Sequence, residues 1–292
     1  MSPGSGVQAM RTKVTMGLSL AAMMLIIIYI GGTAMYIVTS IGGAFAMWEY
    51  YQLLGRKGIR PMATVGIVFG LLFLALPFFG KWATFFGKGA GSIGIVLTVY
   101  VFLILIIQFW QIMRHSQRHS IMDLSITVFG SLYIGAFLSF IIMLMNIADA
   151  QFPTDRWCNR LVIMLPMIAA WISDAGAYFF GSFFGKNRIF PELSPKKTLE
   201  GCFGGIISSV ASFVFVAAFI KIPIIDAAIL GGVASMFGQI GDLSESAFKR
   251  ELNIKDSSAA LGSHGGFLDR IDSILFTLPV VYYYFEWFNP WG

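Results

Sequence analysis

The chain has 292 residues, of which 57% are hydrophobic and only 12% charged, with a mean hydropathy of +0.77. Soluble domains carry about 25% charged residues, so the polar surface needed to coat a globule of this size is missing; disorder, a disulfide scaffold and a fibrous repeat are excluded with it. The net charge of +5 would suit a nucleic-acid partner, but the cations sit in short clusters between apolar blocks, which the flanking of membrane spans explains more cheaply. No nucleic-acid role is expected.

Taken in chain order, apolar blocks of the roughly 20 residues that a spanning helix needs lie at 14–31, 33–54, 62–80, 91–113, 121–145, 160–181, 202–220, 224–246 and 271–288. They predict an all-α integral membrane protein, a polytopic bundle of about nine transmembrane helices. Residues 1–13 read as a flexible lead. Arg11 and Lys13 precede an apolar run with no A-x-A-like cleavage site, which predicts an uncleaved anchor. The first two spans share one apolar stretch, divided only at Gly31-Gly32.

Orientation follows from counting cations. With nine spans and a cytoplasmic N-terminus, fifteen Lys and Arg fall inside, and five (Lys81, Lys88, Arg156, Arg160 and Lys221) fall outside. That bias is the one expected of cytoplasmic loops. The C-terminus, with Trp287 and Trp291 as interfacial anchors, then faces out. Character changes after about residue 170: residues 14–170 carry few ionisable groups within their spans, whereas 171–292 concentrate carboxylates, lysines and glycines at the cytoplasmic helix ends. One continuous membrane domain is expected, with its chemistry in the C-terminal half.

The informative stretch is GQIGDLSESAFKRELNIKDSSAALGSHGGFLDRID, from Gly238 to Asp272. Asp242 and Glu245 are spaced i, i+3 and share a helix face, as do Asp269 and Asp272. Carboxylates at membrane depth are costly unless a cation or partner compensates them. Hard oxygen ligands favour Mg²⁺, which usually takes one or two carboxylates plus substrate phosphates. Lys249, Arg250 and Lys255 are placed to hold a polyphosphate, and the Gly-rich turn at His264-Gly265-Gly266 opens a helix whose N–H groups suit an anion. Singly, each cation also reads as an ordinary flanking charge, and each aspartate as a helix cap.

The run Ser246-x-Phe248-Lys249-Arg250-x4-Lys255-Asp256-x-Ser258-x2-Leu261-Gly262-x-His264-Gly265-Gly266-Phe267-x-Asp269-Arg270-Ile271-Asp272 closely resembles the signature of the phosphatidate cytidylyltransferases (CDP-diacylglycerol synthases). Gly262 stands where many members carry Pro, a departure that touches only the turn. Ser194-Pro195-Lys196-Lys197-Thr198-x-Glu200-Gly201 resembles the family's other cytoplasmic motif, and Ser173-Asp174-x3-Tyr178-x2-Gly181-x3-Gly185-Lys186 resembles its Asp-containing helix and following turn. The matched motifs span residues 171–272.

The resemblance implies a metal-dependent nucleotidyl transfer from CTP to phosphatidic acid, giving CDP-diacylglycerol and pyrophosphate, in phospholipid biosynthesis. It implies Mg²⁺, with room for a second cation; Asp242, Asp269 and Asp272 as metal ligands; and Lys196, Lys197, Lys249, Arg250 and Arg270 as phosphate-binding or orienting groups. His264 either touches the nucleotide or shapes the turn, and the adjacent glycines favour the turn. Asp174, an ionisable residue within a span, is functional by default or makes a helix-pairing hydrogen bond. The expected setting is a bacterial inner membrane, among membrane lipids. The expected site is a polar cavity open to cytosol and inner leaflet, and a homodimer is compatible with it. A CTP-dependent polyprenol or phytol kinase is the nearest rival; a cation-coupled transporter is the rival of another class, though the internal repeats common there are not visible.

Overall fold

A computed structural model describes residues 22, 24–79, 101–107, 109, 121–254 and 266–291. Its described residues form α1 (Gly32–Gly55), α2 (Ala63–Phe78), α3 (Ile121–Gln151), α4 (Arg156–Phe184), α5 (Leu199–Ile220), α6 (Ile224–Glu251) and α7 (Leu268–Phe288). Each coincides with a predicted span to within a few residues. Residues 24–30 and 101–107 are also helical; the rest of the expected spans 14–31 and 91–113 lies outside the described residues. Four helices, α3 to α6, are long and apolar enough to cross a membrane, and α2 is a shorter apolar helix. Among the described residues the β structure is one isolated bridge, Arg188 to Thr198.

Local chemistry sets the helix ends. Gly31 and Gly32 both take positive φ, 66° and 51°, so the apolar stretch breaks where only glycine adopts that backbone cheaply. The Arg160 side chain lies against this break and donates from Nε to the Tyr29 carbonyl at 3.2 Å. Asp155 caps α4 by accepting from the Trp157 and Cys158 amides, both at 3.1 Å. Those hydrogen bonds hold its carboxyl below the usual carboxylate range. Thr198 caps α5 through the Gly201 amide, and Lys221 in a left-handed conformation closes it.

Packing divides the molecule into two neighbourhoods. The most extensive helix pairing is α4 with α5, followed by α6 with α7 and α5 with α6. α1, α2 and α3 form the second group, where a π-helical stretch of α3 at Ser131–Ala136 brings Gly135 against the backbone of Gly70. α7 ties the groups together. Phe276 packs edge-on to Tyr133 and Phe137 of α3, and the Thr277 hydroxyl donates to the Pro166 carbonyl of α4 at 3.0 Å.

Candidate active site

The site forms where α4, α5, α6 and α7 meet. α6 and α7 approach closely at Gly241: a Cβ built there would lie 2.6 Å from the Asp272 carbonyl oxygen. The neighbouring residue, Asp242, is thereby set beside the first turns of α7. α5 presses on α4 in the same way, since a Cβ at Gly205 would lie 2.8 Å from the Ser173 carbonyl. Behind these contacts runs a buried polar network. Ser173 and Ser235 hydroxyls meet at 2.7 Å, and the Gln239 amide donates to the Cys202 carbonyl at 3.1 Å and to Ser235 at 3.3 Å. It fixes the rotation of α4, α5 and α6 about one another, because buried polar groups left unpaired are costly.

Two lysines engage the carboxylates. Lys197, in the loop between α4 and α5, donates to Asp242 Oδ2 at 2.7 Å and to the Gln239 carbonyl at 3.3 Å. Its loop is held by the Arg188–Thr198 bridge and by Glu200, whose carboxylate accepts from the Lys186 and Asn187 amides. Lys249, on α6, donates to Glu245 Oε2 at 2.9 Å and to Asp269 Oδ1 at 3.0 Å. Asp269 Oδ2 in turn accepts from the Gly266 amide at 2.8 Å. Asp272 is buried, with Oδ1 on the Ser273 amide at 2.6 Å, and it interacts with Glu245 and Asp242. The Asp174 side chain is exposed, yet within electrostatic range of Asp242, Asp272 and Lys197.

Among the described residues, five carboxylates (Asp174, Asp242, Glu245, Asp269 and Asp272) thus share one neighbourhood, where Lys197 pairs with Asp242 and Lys249 with Glu245 and Asp269. That excess of negative charge suits a cation, and the donors are the hard oxygens that Mg²⁺ prefers. Glu245 Oε1 is buried with no hydrogen-bond partner, which marks an acceptor with capacity to spare. Among the described residues no three acidic, His or Cys side chains are drawn together as a ready-made metal cage.

The other predicted residues fall into place unevenly. Lys196 is exposed, as is Arg270. Arg250 donates to the Leu193 and Ile254 carbonyls at 3.2 and 3.5 Å, so it ties the α4–α5 loop to the end of α6. Gly266 commits its N–H to Asp269. Lys255, His264 and Gly265 lie outside the described residues. Sequence reading placed Glu245 on the same face as Asp242 but gave it no role, and it passed over Gln239 and Glu49. Glu49 is buried in α1 and accepts from the Leu268 amide at 2.9 Å. An ionisable residue inside the second span was the available signal for it.

A cavity that adjoins these carboxylates is mainly aromatic among the described residues. It has a volume of about 290 Å³, walled by Tyr50, Tyr133, Phe248 and Phe276, with Glu245 and Ser244 as its polar members. Apolar walls with a charged group at one side suit a ligand that is part hydrocarbon and part polar.

A model of the cytidylyltransferase family matches residues 11–288. A phosphatidate cytidylyltransferase of Bacillus subtilis (strain 168) is 30% identical over 282 residues, covering 96% of this chain and 99% of that protein. Proteins of the same name from Staphylococcus epidermidis and Staphylococcus haemolyticus are 32% identical over 236 residues and 30% identical over 261 residues. They cover 79% and 87% of this chain, and 82% and 91% of their own lengths. With a family match across nearly its whole length, the chain belongs to the cytidylyltransferase family.

Proposed function

We propose that the chain is a phosphatidate cytidylyltransferase: a phosphatidic acid oxygen attacks the α-phosphorus of CTP, the bond to the β-phosphate bridging oxygen breaks, and CDP-diacylglycerol and pyrophosphate result. The observation that carries the reading is the pair of lysine–carboxylate clusters, Lys197–Asp242 and Lys249–Glu245–Asp269, flanking Asp272 beside an aromatic cavity. Similarity over most of the chain to bacterial proteins of that name supports it.

A phosphomonoester has a second pKa near 6, so the nucleophile is largely ionised at neutral pH and needs no strong general base. The harder task is to bring two polyanions together and stabilise the departing pyrophosphate. Asp242, Asp269 and Asp272 would hold Mg²⁺, which supplies charge neutralisation and Lewis acidity at the phosphates. Lys197 and Lys249, whose ammonium groups lie on the site carboxylates, would bind phosphate oxygens. Asp174 sets the electrostatic background of that site. Lys196, Lys255 and Arg270 would supply further charge for the nucleotide, and the sequence His264-Gly265-Gly266 would shape its approach. The acyl-bearing side of phosphatidic acid lies in the aromatic cavity next to Glu245.

The proposed setting is a bacterial inner membrane, with the site facing the cytosol, where CTP is found, and the inner leaflet, where the lipid headgroup lies. The fifteen-to-five cation bias supports that orientation. The test is an assay of the purified chain with labelled CTP and phosphatidic acid: CDP-diacylglycerol and pyrophosphate are the expected products, and a chelator abolishes their formation until Mg²⁺ is restored. Release of CDP with a phosphorylated alcohol would assign the chain to the lipid-kinase reading instead.

A further inference from the structure

α7 carries Asp269 and Asp272 in its first two turns, yet it begins without a cap of its own. The residue before it, Phe267, provides no side-chain acceptor for the first amides, and the opening N–H groups of a helix have no intrahelical partner. The acceptor comes from the other end of the chain. Glu49 of α1, only 2% exposed, places Oε2 2.9 Å from the Leu268 nitrogen, across a separation of 219 residues.

The surroundings hold this contact in place. Gly42, two turns before Glu49, leaves room for the Phe267 ring; a Cβ there would lie 2.6 Å from that ring. Tyr50, beside Glu49, stacks on Phe248 of α6 with centroids 5.3 Å apart. α1 therefore grips the end of α6 and the start of α7 at once, next to Lys249 and Asp269. A carboxylate at a helix N-terminus also complements the helix dipole.

We propose that Glu49 is a positioning residue for the transfer reaction: by capping α7 from α1 it fixes where Asp269 and Asp272 stand relative to Lys249 and Asp242. The functional half of this inference rests on the cytidylyltransferase reading above. Gln at position 49 keeps an acceptor oxygen for the Leu268 amide; Leu keeps the volume and removes the acceptor. In full-length protein in detergent, Glu49→Leu is expected to speed amide exchange of the 266–272 segment, leaving α4 and α5 unchanged, while Glu49→Gln stays close to the parent. With CTP and phosphatidic acid, Glu49→Leu lowers kcat about tenfold or more with KM for CTP little changed, because misplaced catalytic groups weaken the chemical step more than binding. Glu49→Gln restores most of that turnover.

Unchanged exchange at 266–272 in Glu49→Leu overturns the cap, whatever the activity. A loss confined to KM, or to thermal stability with kcat intact, overturns the positioning role. Should Glu49→Leu fail to fold, Glu49→Gln decides: lost protection at 266–272 overturns the proposal, and kept protection with kept kcat supports it. A parent chain that makes no CDP-diacylglycerol overturns the proposed function, and the exchange result still decides the cap.

Discussion

At the scale of single residues, the lysines of the site differ sharply in what their loss would leave behind. Lys249 is partly buried between Glu245 and Asp269, whose side chains are 2% and 8% exposed. Removing one partner of a buried ion pair leaves an uncompensated charge and costs about 3–5 kcal/mol. Lys249→Met is therefore expected to lower the melting temperature in detergent as well as turnover. Lys196→Met, at an exposed position, leaves the melting temperature unchanged and acts only on the apparent affinity for CTP. Asp242→Asn and Asp269→Asn each keep the side-chain shape, so the protein stays folded while turnover falls by at least about 100-fold, the scale of lost electrostatic stabilisation at a reacting centre. Near-parental activity in either variant removes that residue from the proposed metal site.

At the scale of elements, the crossing of α6 and α7 decides whether the carboxylates share one site. Gly241 faces backbone, the Asp272 carbonyl, which cannot rotate away as a side-chain tip could. Gly241→Ala must push the helices apart, at a cost of about 1–3 kcal/mol for overpacking, and it is expected to depress kcat by displacing Asp242 from Asp272. Gly232→Ala on the same helix meets only a Val210 methyl at 3.6 Å, an ordinary contact, and leaves both stability and kcat intact. Thermal melting and turnover of the two variants side by side check this.

The helices themselves were legible because a spanning segment announces itself by length and hydropathy alone, and Gly31-Gly32 marked its break correctly. What hydropathy does not encode is which glycine faces which backbone, or that Asp242 and Glu245, spaced to share a face, turn to different lysines. Arg250 reads as a phosphate ligand by charge and spacing, and its Nε also donates to the Leu193 carbonyl. The partner belongs to another element, and a linear pattern cannot name it.

At the scale of the whole molecule, the same limit hides the dependence of the C-terminal half on α1, since Glu49 and Leu268 are neighbours only in space. The layout does, however, fix which end of the bundle the chemistry occupies. α4 has 29 residues, about 43 Å at 1.5 Å per residue, longer than the roughly 30 Å hydrocarbon core. Its two ends must therefore lie on opposite sides if it spans. Exposed Trp157 stands at the first end, and at that same end Trp291 donates to the Ile220 carbonyl, where α5 terminates. The loop carrying Lys196 and Lys197 stands at the other, with Asp242, Lys249 and Asp269. With Cys158 and Cys202 replaced, Lys196→Cys is expected to react with a membrane-impermeant maleimide only in inverted inner-membrane vesicles. Trp157→Cys should react only from the outer side. Labelling of both from one side would mean that α4 does not cross the bilayer; the reversed pattern would put the site on the face where CTP is absent, and the orientation read from the cations would fall with it.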